Sequence, residues 1–211
     1  MSVSSSPAAG DGRVRLALAV LAVNLLGHQT TTLLLGPLLV PIAAEFETTV
    51  AAVGLLAAVT SVPWAIAGLI GGPLSDRWGR KPMLLGGNLI TGLGTLLAGF
   101  AGSYGVLLAL RLFTGFGAST IGPNVTSATA DLVSPARRGT ALGWVLSGSS
   151  LGSVVGVPLI AYIAGLWGWR AAFWTAGAVT IAILAAELLI LPVTGRRTGP
   201  GVPYLGSFRI A

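Results

Sequence analysis

Few side chains in this chain of 211 residues could do chemistry. Cysteine is absent, and His28 is the only histidine. A thiolate nucleophile, a disulfide framework and a cysteine-based metal site are therefore excluded. No nucleophile, base and orienting group recur together in the sequence. We expect a protein that is not an enzyme, with no catalytic residues, no metal ion and no cofactor.

Two titratable side chains lie inside apolar runs. His28 belongs to the residue type that titrates near neutral pH, which suits a proton carrier. Glu187 is the only acidic residue well inside an apolar segment. His28 and Glu187 are the candidates for proton coupling. The alternatives are that His28 only bonds a neighbouring helix and that Glu187, near the end of its segment, reaches the headgroup region.

The elements that position these residues are predicted to be membrane helices. The chain is 54% hydrophobic and 9% charged, against roughly 25% charged in a soluble domain. A helix needs about 20 mainly apolar residues to cross a bilayer. Six continuously apolar segments qualify, at about 16–38, 50–72, 83–101, 105–129, 140–164 and 171–193. We therefore predict an all-α membrane domain over residues 14–195, with tails at 1–13 and 196–211.

The positive charges predict the orientation of these spans. Nine basic residues fall on one side of them: Arg13, Arg15, Arg77, Arg80, Lys81, Arg137, Arg138, Arg196 and Arg197. The other side has Arg170 with the acidic pair Glu45 and Glu47. Because cytoplasmic loops retain Lys and Arg, we expect both termini in the cytoplasm and a multi-pass protein of the cell's inner (plasma) membrane. The scattered charges do not favour a nucleic-acid partner.

The loop between spans two and three carries the strongest motif, GGPLSDRWGRKP at 71–82. It resembles the signature loop of the major facilitator superfamily. The matching residues are Gly72, Leu74, Asp76, Arg77, Gly79, Arg80 and Lys81. A tight turn favours glycine at position 79. The resemblance implies a charge cluster around Asp76 that latches one half of a transporter to the other. The alternative is that the basic residues only anchor the topology.

Two further stretches resemble the same family. The loop DLVSPARRGTALGW, 131–144, is similar to the connection between spans four and five, which implies that Asp131 and Arg138 join the Asp76 cluster. RLFTGFGAS, 111–119, resembles the fourth-helix motif, with Thr114 where Gln is commoner. An ionised Arg111 inside a span costs roughly 2.5–3.5 kcal/mol or more. We expect Arg111 to face the bundle or a watery cavity and to serve coupling or substrate binding; the alternative is that it snorkels to the headgroups.

The first span carries four polar residues at helical spacing: Asn24, His28, Thr31 and Thr32. Such spacing places them on one side of a helix that is otherwise apolar. First helices of the family line the central cavity, so the resemblance implies that these four side chains, together with Arg111 and Thr114, contact substrate or water.

The fifth span repeats glycine at Gly148, Gly152 and Gly156, followed by Pro158. Small residues at every fourth position form a groove that lets another helix approach closely. The stretch resembles the fifth helix of drug and sugar efflux antiporters, and GWRAAF at 168–173 favours export. Two segments have similar sequences: GGPL with WGRKP after span two, and GVPL with GWRAAF after span five. That similarity favours an inverted three-plus-three repeat.

The resemblance covers one six-helix half of a family member. A half alone would leave His28 and Arg111 facing lipid, so we expect a second half. The favoured hypothesis is a parallel homodimer in the lipid bilayer that exports a small, amphipathic organic compound by alternating access. Asp76 of one copy would then approach Gly139 to Gly143 of the other. The alternatives are a different second half and a non-transporting scaffold or lipid-binding protein.

Overall fold

The structure of the chain is a computed structural model. It describes the backbone of residues 7–192 and their side chains except those of residues 7–11, 65, 67–74 and 76. The predicted tail at 196–211, with Arg196 and Arg197, lies outside the described residues. Within residues 7–192 the secondary structure is entirely helical, as the sequence predicts.

Seven α-helices follow one another along the chain. They are α1 Pro7–Leu33, α2 Leu39–Glu45, α3 Val50–Trp78, α4 Arg80–Ala98, α5 Tyr104–Leu132, α6 Arg138–Leu151 and α7 Val157–Ile190. Short 3-10 turns precede α2 and α6, and a π-helical segment, Gly152–Gly156, joins α6 to α7. The side chains of Thr49 and Ser103 cap α3 and α5 by accepting from the amides of Ala52 and Val106. Such caps satisfy backbone donors that a helix start leaves free.

Two glycines set the places where long helices are interrupted. Gly79 has φ 95° and separates α3 from α4, while Gly168 has φ 83° and breaks the helical geometry of α7. Positive φ of this size is a region that glycine adopts without steric cost. With the break at Gly168, the helical stretches coincide with all six predicted segments to within a few residues at most ends. The exception is α1, which begins at Pro7, inside the predicted amino-terminal tail.

Three stretches of the described chain are both long and apolar enough to cross a membrane. They are Gly12–Glu45, Tyr104–Leu132 and Pro135–Ile190, and Val50–Trp64 is a shorter apolar helix. The stretch Pro135–Ile190 contains 56 residues, far more than the roughly 20 that one crossing needs. The chain is therefore an all-helical membrane protein, and the count of six spans stays a prediction.

The helices pack in a defined order. α5 packs against α3 and α4, and the part of α7 after Gly168 packs between α1 and α4. Gly148, Gly152 and Gly156 meet Ala22, Leu26 and Thr30 in turn, so α1 and the α6–π segment run parallel. The second part of α7 runs antiparallel to α1 and α4.

Two apolar clusters fill the bundle at its two ends. One contains Leu34, which follows α1, together with Leu56, Leu107 and Phe173 from α3, α5 and α7. The other contains Leu21, Leu84, Ile121 and Val145, among others, from α1, α4, α5 and α6. The polar side chains described below lie between or beside these clusters and are held in place by them.

Candidate functional site

The four polar residues of α1 divide among different surroundings. Asn24 and Thr31 are buried, His28 is half-buried and Thr32 is exposed. The hydroxyls of Thr31 and Thr32 donate to carbonyls of their own helix, those of Gly27 and His28. At about 100° per residue the four positions cover an arc of about 100°. The arc is wide enough for Asn24 to face α7 while His28 faces α3. The four side chains therefore do not form one open polar face.

A buried carboxylate joins three helices. Glu187 on α7 is 0% exposed and accepts hydrogen bonds from the amide groups of Asn24 on α1 and Asn88 on α4, the second at 2.7 Å. The Oδ1 atom of Asn24 is buried and has no hydrogen-bond partner among the described residues. Glu187 therefore does not reach the headgroup region. Sequence reasoning missed Asn88, whose only signal is an asparagine within an apolar segment.

Arg111 lies inside the helical bundle. It is 2% exposed, so the snorkelling alternative is wrong. Arg111, Leu107 and Thr114 all lie on the buried side of α5. The chain itself therefore shields Arg111 from lipid, without a second half. The Nε atom of Arg111 has no hydrogen-bond partner in the described part of the chain. Thr114 donates its hydroxyl to the Arg111 carbonyl at 2.9 Å and packs beside Gly94 on α4.

His28 stacks on a tryptophan of the neighbouring span. The ring centroids of His28 and Trp64 are 6.0 Å apart and the planes differ by 13°. The Nδ1 atom of His28 is buried and without a partner among residues 7–192, while Trp64 is 46% exposed. The pair bridges α1 and α3, and sequence reasoning named only its histidine.

The signature loop is organised by an ion pair. Arg80 Nε lies 3.6 Å from Asp131 Oδ2, and Arg80 Nη1 donates to Ser75 Oγ at 3.0 Å. Lys81 turns away and donates to the carbonyls of Leu188 and Leu191 at the end of α7, at 3.1 and 2.5 Å. The surroundings of Gly72 and the side chains of Leu74 and Asp76 lie outside the described residues.

Two other cations of this end do not join the ion pair. Arg77 is exposed. Arg138 donates to the Ala130 carbonyl at 3.1 Å, so its nearest described partner is backbone and not Asp131. Among the described side chains, Arg80 contacts Asp131 and Ser75, and Ser75 in turn donates to Asn124 at 2.5 Å. The predicted cluster around Asp76 stays a prediction.

The glycine groove of the fifth segment packs within the chain. A Cβ added at Gly148 would collide with the Ala22 carbonyl oxygen, and one at Gly152 would lie 2.5 Å from the Leu26 carbonyl oxygen. Gly156 is in contact with the Thr30 hydroxyl. The groove therefore packs against α1. The π-helical segment, which ends two residues before Pro158, widens the helix next to this contact.

A second charge cluster closes the opposite end of the bundle. Glu45 accepts hydrogen bonds from Arg170 Nη1 and, at 2.5 Å, from Trp169 Nε1. Arg170 Nη2 donates to the Ala101 carbonyl at 3.0 Å, and its guanidinium carbon lies 4.4 Å from the Trp169 ring centroid. The cluster ties the end of α2 to the helix start after Gly168, as Arg80 and Asp131 tie the helix start after Gly79 to the end of α5.

Removal of the Arg170 side chain is expected to loosen this end of the bundle. Arg170→Leu loses two hydrogen bonds made by a charged group, but the pair is part-exposed, so we expect a loss of about 1 kcal/mol in the free energy of unfolding. The measurement is thermal unfolding followed by tryptophan fluorescence. The matched control is Arg137→Leu, because Arg137 is exposed and its side chain bonds no residue in the described range. Equal melting temperatures for the two variants would contradict the tie.

Comparison with known proteins identifies relatives of this chain. The family model for the Major Facilitator Superfamily matches residues 20–205. A probable sulfoacetate transporter, SauU, of Cupriavidus necator is 35% identical over 140 residues, which cover 66% of this chain and 33% of that protein. The 3-(3-hydroxy-phenyl)propionate transporter of Escherichia coli is 32% identical over 124 residues, covering 59% of this chain and 30% of that protein.

A third relative has a similar extent of match. A probable 4-methylmuconolactone transporter of Cupriavidus pinatubonensis is 38% identical over 131 residues, which cover 60% of this chain and 31% of that protein. The chain thus spans about a third of the length of the curated relatives it matches.

Proposed function

Because the chain belongs to the Major Facilitator Superfamily, we propose that it forms a six-helix half of a transporter that moves a small organic anion by alternating access. The proposal places all six predicted segments across the bilayer, with both termini in the cytoplasm. The nine cations counted from the sequence support this orientation. The signature loop with its Arg80–Asp131 pair then lies on the cytoplasmic face as a gate.

The helix pairings support an inverted three-plus-three repeat. The first three helices are α1, α3 and α4, and the second three are α5, α6 and the part of α7 after Gly168. α1 is parallel to α6 and antiparallel to the end of α7; in the same way α5 is parallel to α3 and antiparallel to α4. Each set also has a positive-φ glycine before its third helix. Such repeats relate the two parts of a transporter half.

The observation that carries the substrate class is the buried, incompletely partnered Arg111. An ionised guanidinium inside a membrane domain normally pairs with an anion or lines a pathway. Within the middle of α1, α3 and α5 it is the one charged residue in the sequence. The names of the relatives agree with an acidic or oxygen-rich substrate, since they are called transporters of sulfoacetate, hydroxyphenylpropionate and methylmuconolactone. We infer a small, amphipathic organic acid.

The proposed transport is export, coupled to protons. Export is supported by the resemblance of residues 148–173 to efflux antiporters. Proton coupling is assigned to Glu187 and His28, the two titratable groups held at α1, with Glu187 bonded to Asn24 and His28 stacked on Trp64. Alternating access then consists of rocking this rigid unit against a second six-helix unit around a site near mid-membrane.

The second unit is proposed to be a second copy in parallel orientation. Gly139 and Gly143 at the start of α6 are exposed and have no atom within 4 Å of an added Cβ, so this surface is open to a partner. It is the surface that the sequence places opposite Asp76 of the other copy. A different polypeptide as the second unit is the alternative, and the non-transporting scaffold is the third.

Counterflow in proteoliposomes tests the transport proposal. Liposomes containing the full chain are loaded with unlabelled 3-(3-hydroxyphenyl)propionate, and entry of the labelled acid is followed; sulfoacetate is the second probe. We expect Arg111→Gln to lower the rate at least tenfold, because the binding anion loses its counter-charge. Arg13→Gln, which alters an exposed cation at the start of α1, is the matched control. No counterflow of either acid by the wild-type chain would contradict the function.

Native mass spectrometry of the chain in lipid nanodiscs tests the second copy. A dimer is expected. A monomer that transports, or a monomer that transports only when a second polypeptide is added, would overturn the homodimer and leave the transporter proposal standing.

A further inference from the structure

Trp64 occupies an unusual place for an exposed tryptophan. It lies at the midpoint of α3, which runs from Val50 to Trp78, and it is 46% exposed. Tryptophan is normally enriched at the two membrane interfaces, where its N–H meets water. Trp78 and Trp167, which stand beside the helix breaks at Gly79 and Gly168, fit that rule. Trp64, at half the height of its helix, does not.

The indole N–H of Trp64 has no acceptor. No hydrogen bond links its Nε1 atom to any residue in the described range 7–192. A polar group that faces hydrocarbon without a partner is unfavourable by several kcal/mol. An exposed indole with a free donor is therefore more stable against water, a ligand or the second unit than against the lipid. Its free donor is suited to an oxygen acceptor on that ligand.

The stack with His28 places a flat aromatic surface across α5. α3 meets α5 where Gly115 lies beside the Thr60 carbonyl and Pro63, and α1 meets α5 through the cluster around Leu21 and Ile121. The two rings thus reach towards each other from helices on either side of α5. Ala118, one turn after Gly115, is buried and small.

The charge near this surface is positive. Arg111 lies seven residues before Ala118 on α5, which is about 10 Å along the helix axis. No acidic residue occurs in the sequence between Glu47 and Asp76 or between Arg15 and Glu45. An aromatic face, a free N–H donor and a nearby cation suit one type of ligand, which is a planar aromatic ring that carries an acid group.

We propose that Trp64 and His28 form the subsite that selects aromatic acids over aliphatic ones, with the ligand ring stacked on Trp64 and its oxygen accepting from the indole N–H. Ring stacking adds to the burial of area and falls away when the ligand is not planar. The inference rests on the proposed function, because it assigns a substrate class to the same transporter.

Two acids of equal charge and similar size provide the test. Benzoate and cyclohexanecarboxylate are titrated against the full chain in nanodiscs by isothermal calorimetry. We expect benzoate to bind about fivefold more tightly, which corresponds to one good aromatic contact. Trp64→Leu should reduce benzoate to the affinity of cyclohexanecarboxylate, Trp64→Phe should keep most of the preference, and Trp167→Leu, at another exposed tryptophan, should keep all of it.

The outcomes separate this inference from the function. Equal affinities of the two acids for the wild-type chain would overturn the aromatic subsite and leave organic-acid transport intact. A preference that survives in Trp64→Leu would also overturn it. Binding of neither acid, with counterflow of sulfoacetate retained, would overturn the subsite alone. Because the wild-type ratio is informative by itself, the test does not depend on the folding of the leucine variant.

Discussion

Gly148→Ala is expected to destabilise the chain by roughly 1–3 kcal/mol, the usual cost of overpacking a filled site. The added Cβ would collide with the Ala22 carbonyl oxygen and lie 2.9 Å from the carbon of the same group. Neither atom belongs to a flexible side chain, so relief requires α1 and α6 to move apart. Unfolding in a sodium dodecyl sulfate titration, followed by circular dichroism, measures the loss.

Gly143→Ala is the matched control for that experiment. Gly143 lies on the same helix, and an added Cβ there has no atom within 4 Å. Alanine favours a helix over glycine by about 1 kcal/mol, so this variant should be as stable as the wild type or slightly more stable. A drop of equal size in both variants would mean that the groove does not hold α1 by close contact.

The sequence predicted the helices well because their ends carry local signals. Gly79 and Gly168 each follow an apolar segment and precede a cation, and both adopt positive φ in the structure. Apolar length alone identifies fewer crossings, because α4 begins with Arg80 and Lys81 and is not among the stretches that are long and apolar enough to cross a membrane. The charged residues at the start of α4 that weaken the apolar signal belong to the proposed gate.

The partners of the polar residues were not predictable in the same way. Asn24 and His28 lie one helical turn apart on α1, yet the first bonds Glu187 and the second stacks on Trp64. Spacing gives the direction of a side chain to within a broad sector, and the partner depends on which helix lies in that sector. Which helix lies beside a given side chain depends on long-range packing, which the spacing of residues in one sequence does not reveal.

The expectation that a lone half exposes its charges failed for a related reason. A lone half was expected to leave His28 and Arg111 facing lipid, and a headgroup position was the alternative for Glu187. Arg111 and Glu187 are both buried within the helical bundle, Arg111 on the buried side of α5 and Glu187 against two asparagines. The bundle has an interior of its own, so polar residues proposed to serve coupling can be buried inside it.

The two charge clusters have unequal roles under the proposed mechanism. Each ties the start of a third helix to the end of a neighbouring segment, through Arg80 with Asp131 and through Arg170 with Glu45. Both ties are internal to the unit and keep it rigid when it rocks. The signature loop differs in sequence because it contains Asp76, whereas the corresponding segment before Gly168 has no acidic residue. A latch between units is therefore expected on the cytoplasmic face.

Two replacements of Glu187 are expected to distinguish its role as a hydrogen-bond acceptor from the role of its negative charge. Glu187→Leu removes the acceptor of two buried amides, and each unsatisfied group costs about 1–3 kcal/mol, so a clear loss of stability should follow. Glu187→Gln keeps one acceptor oxygen and adds a donor that suits the unpartnered Oδ1 of Asn24. We expect the glutamine variant to unfold at nearly the wild-type detergent concentration.

The transport readout of the same two variants then tests coupling. A neutral side chain that preserves the bonds to Asn24 and Asn88 imitates a protonated Glu187. If Glu187 carries the exchanged proton, Glu187→Gln keeps counterflow of the organic acid, in which no net proton moves, and loses at least tenfold of the uptake driven by a pH gradient. A glutamine variant as unstable as the leucine variant would instead mean that the network needs the negative charge itself. Glu187 would then be a fixed tie among α1, α4 and α7, and proton coupling would pass to His28.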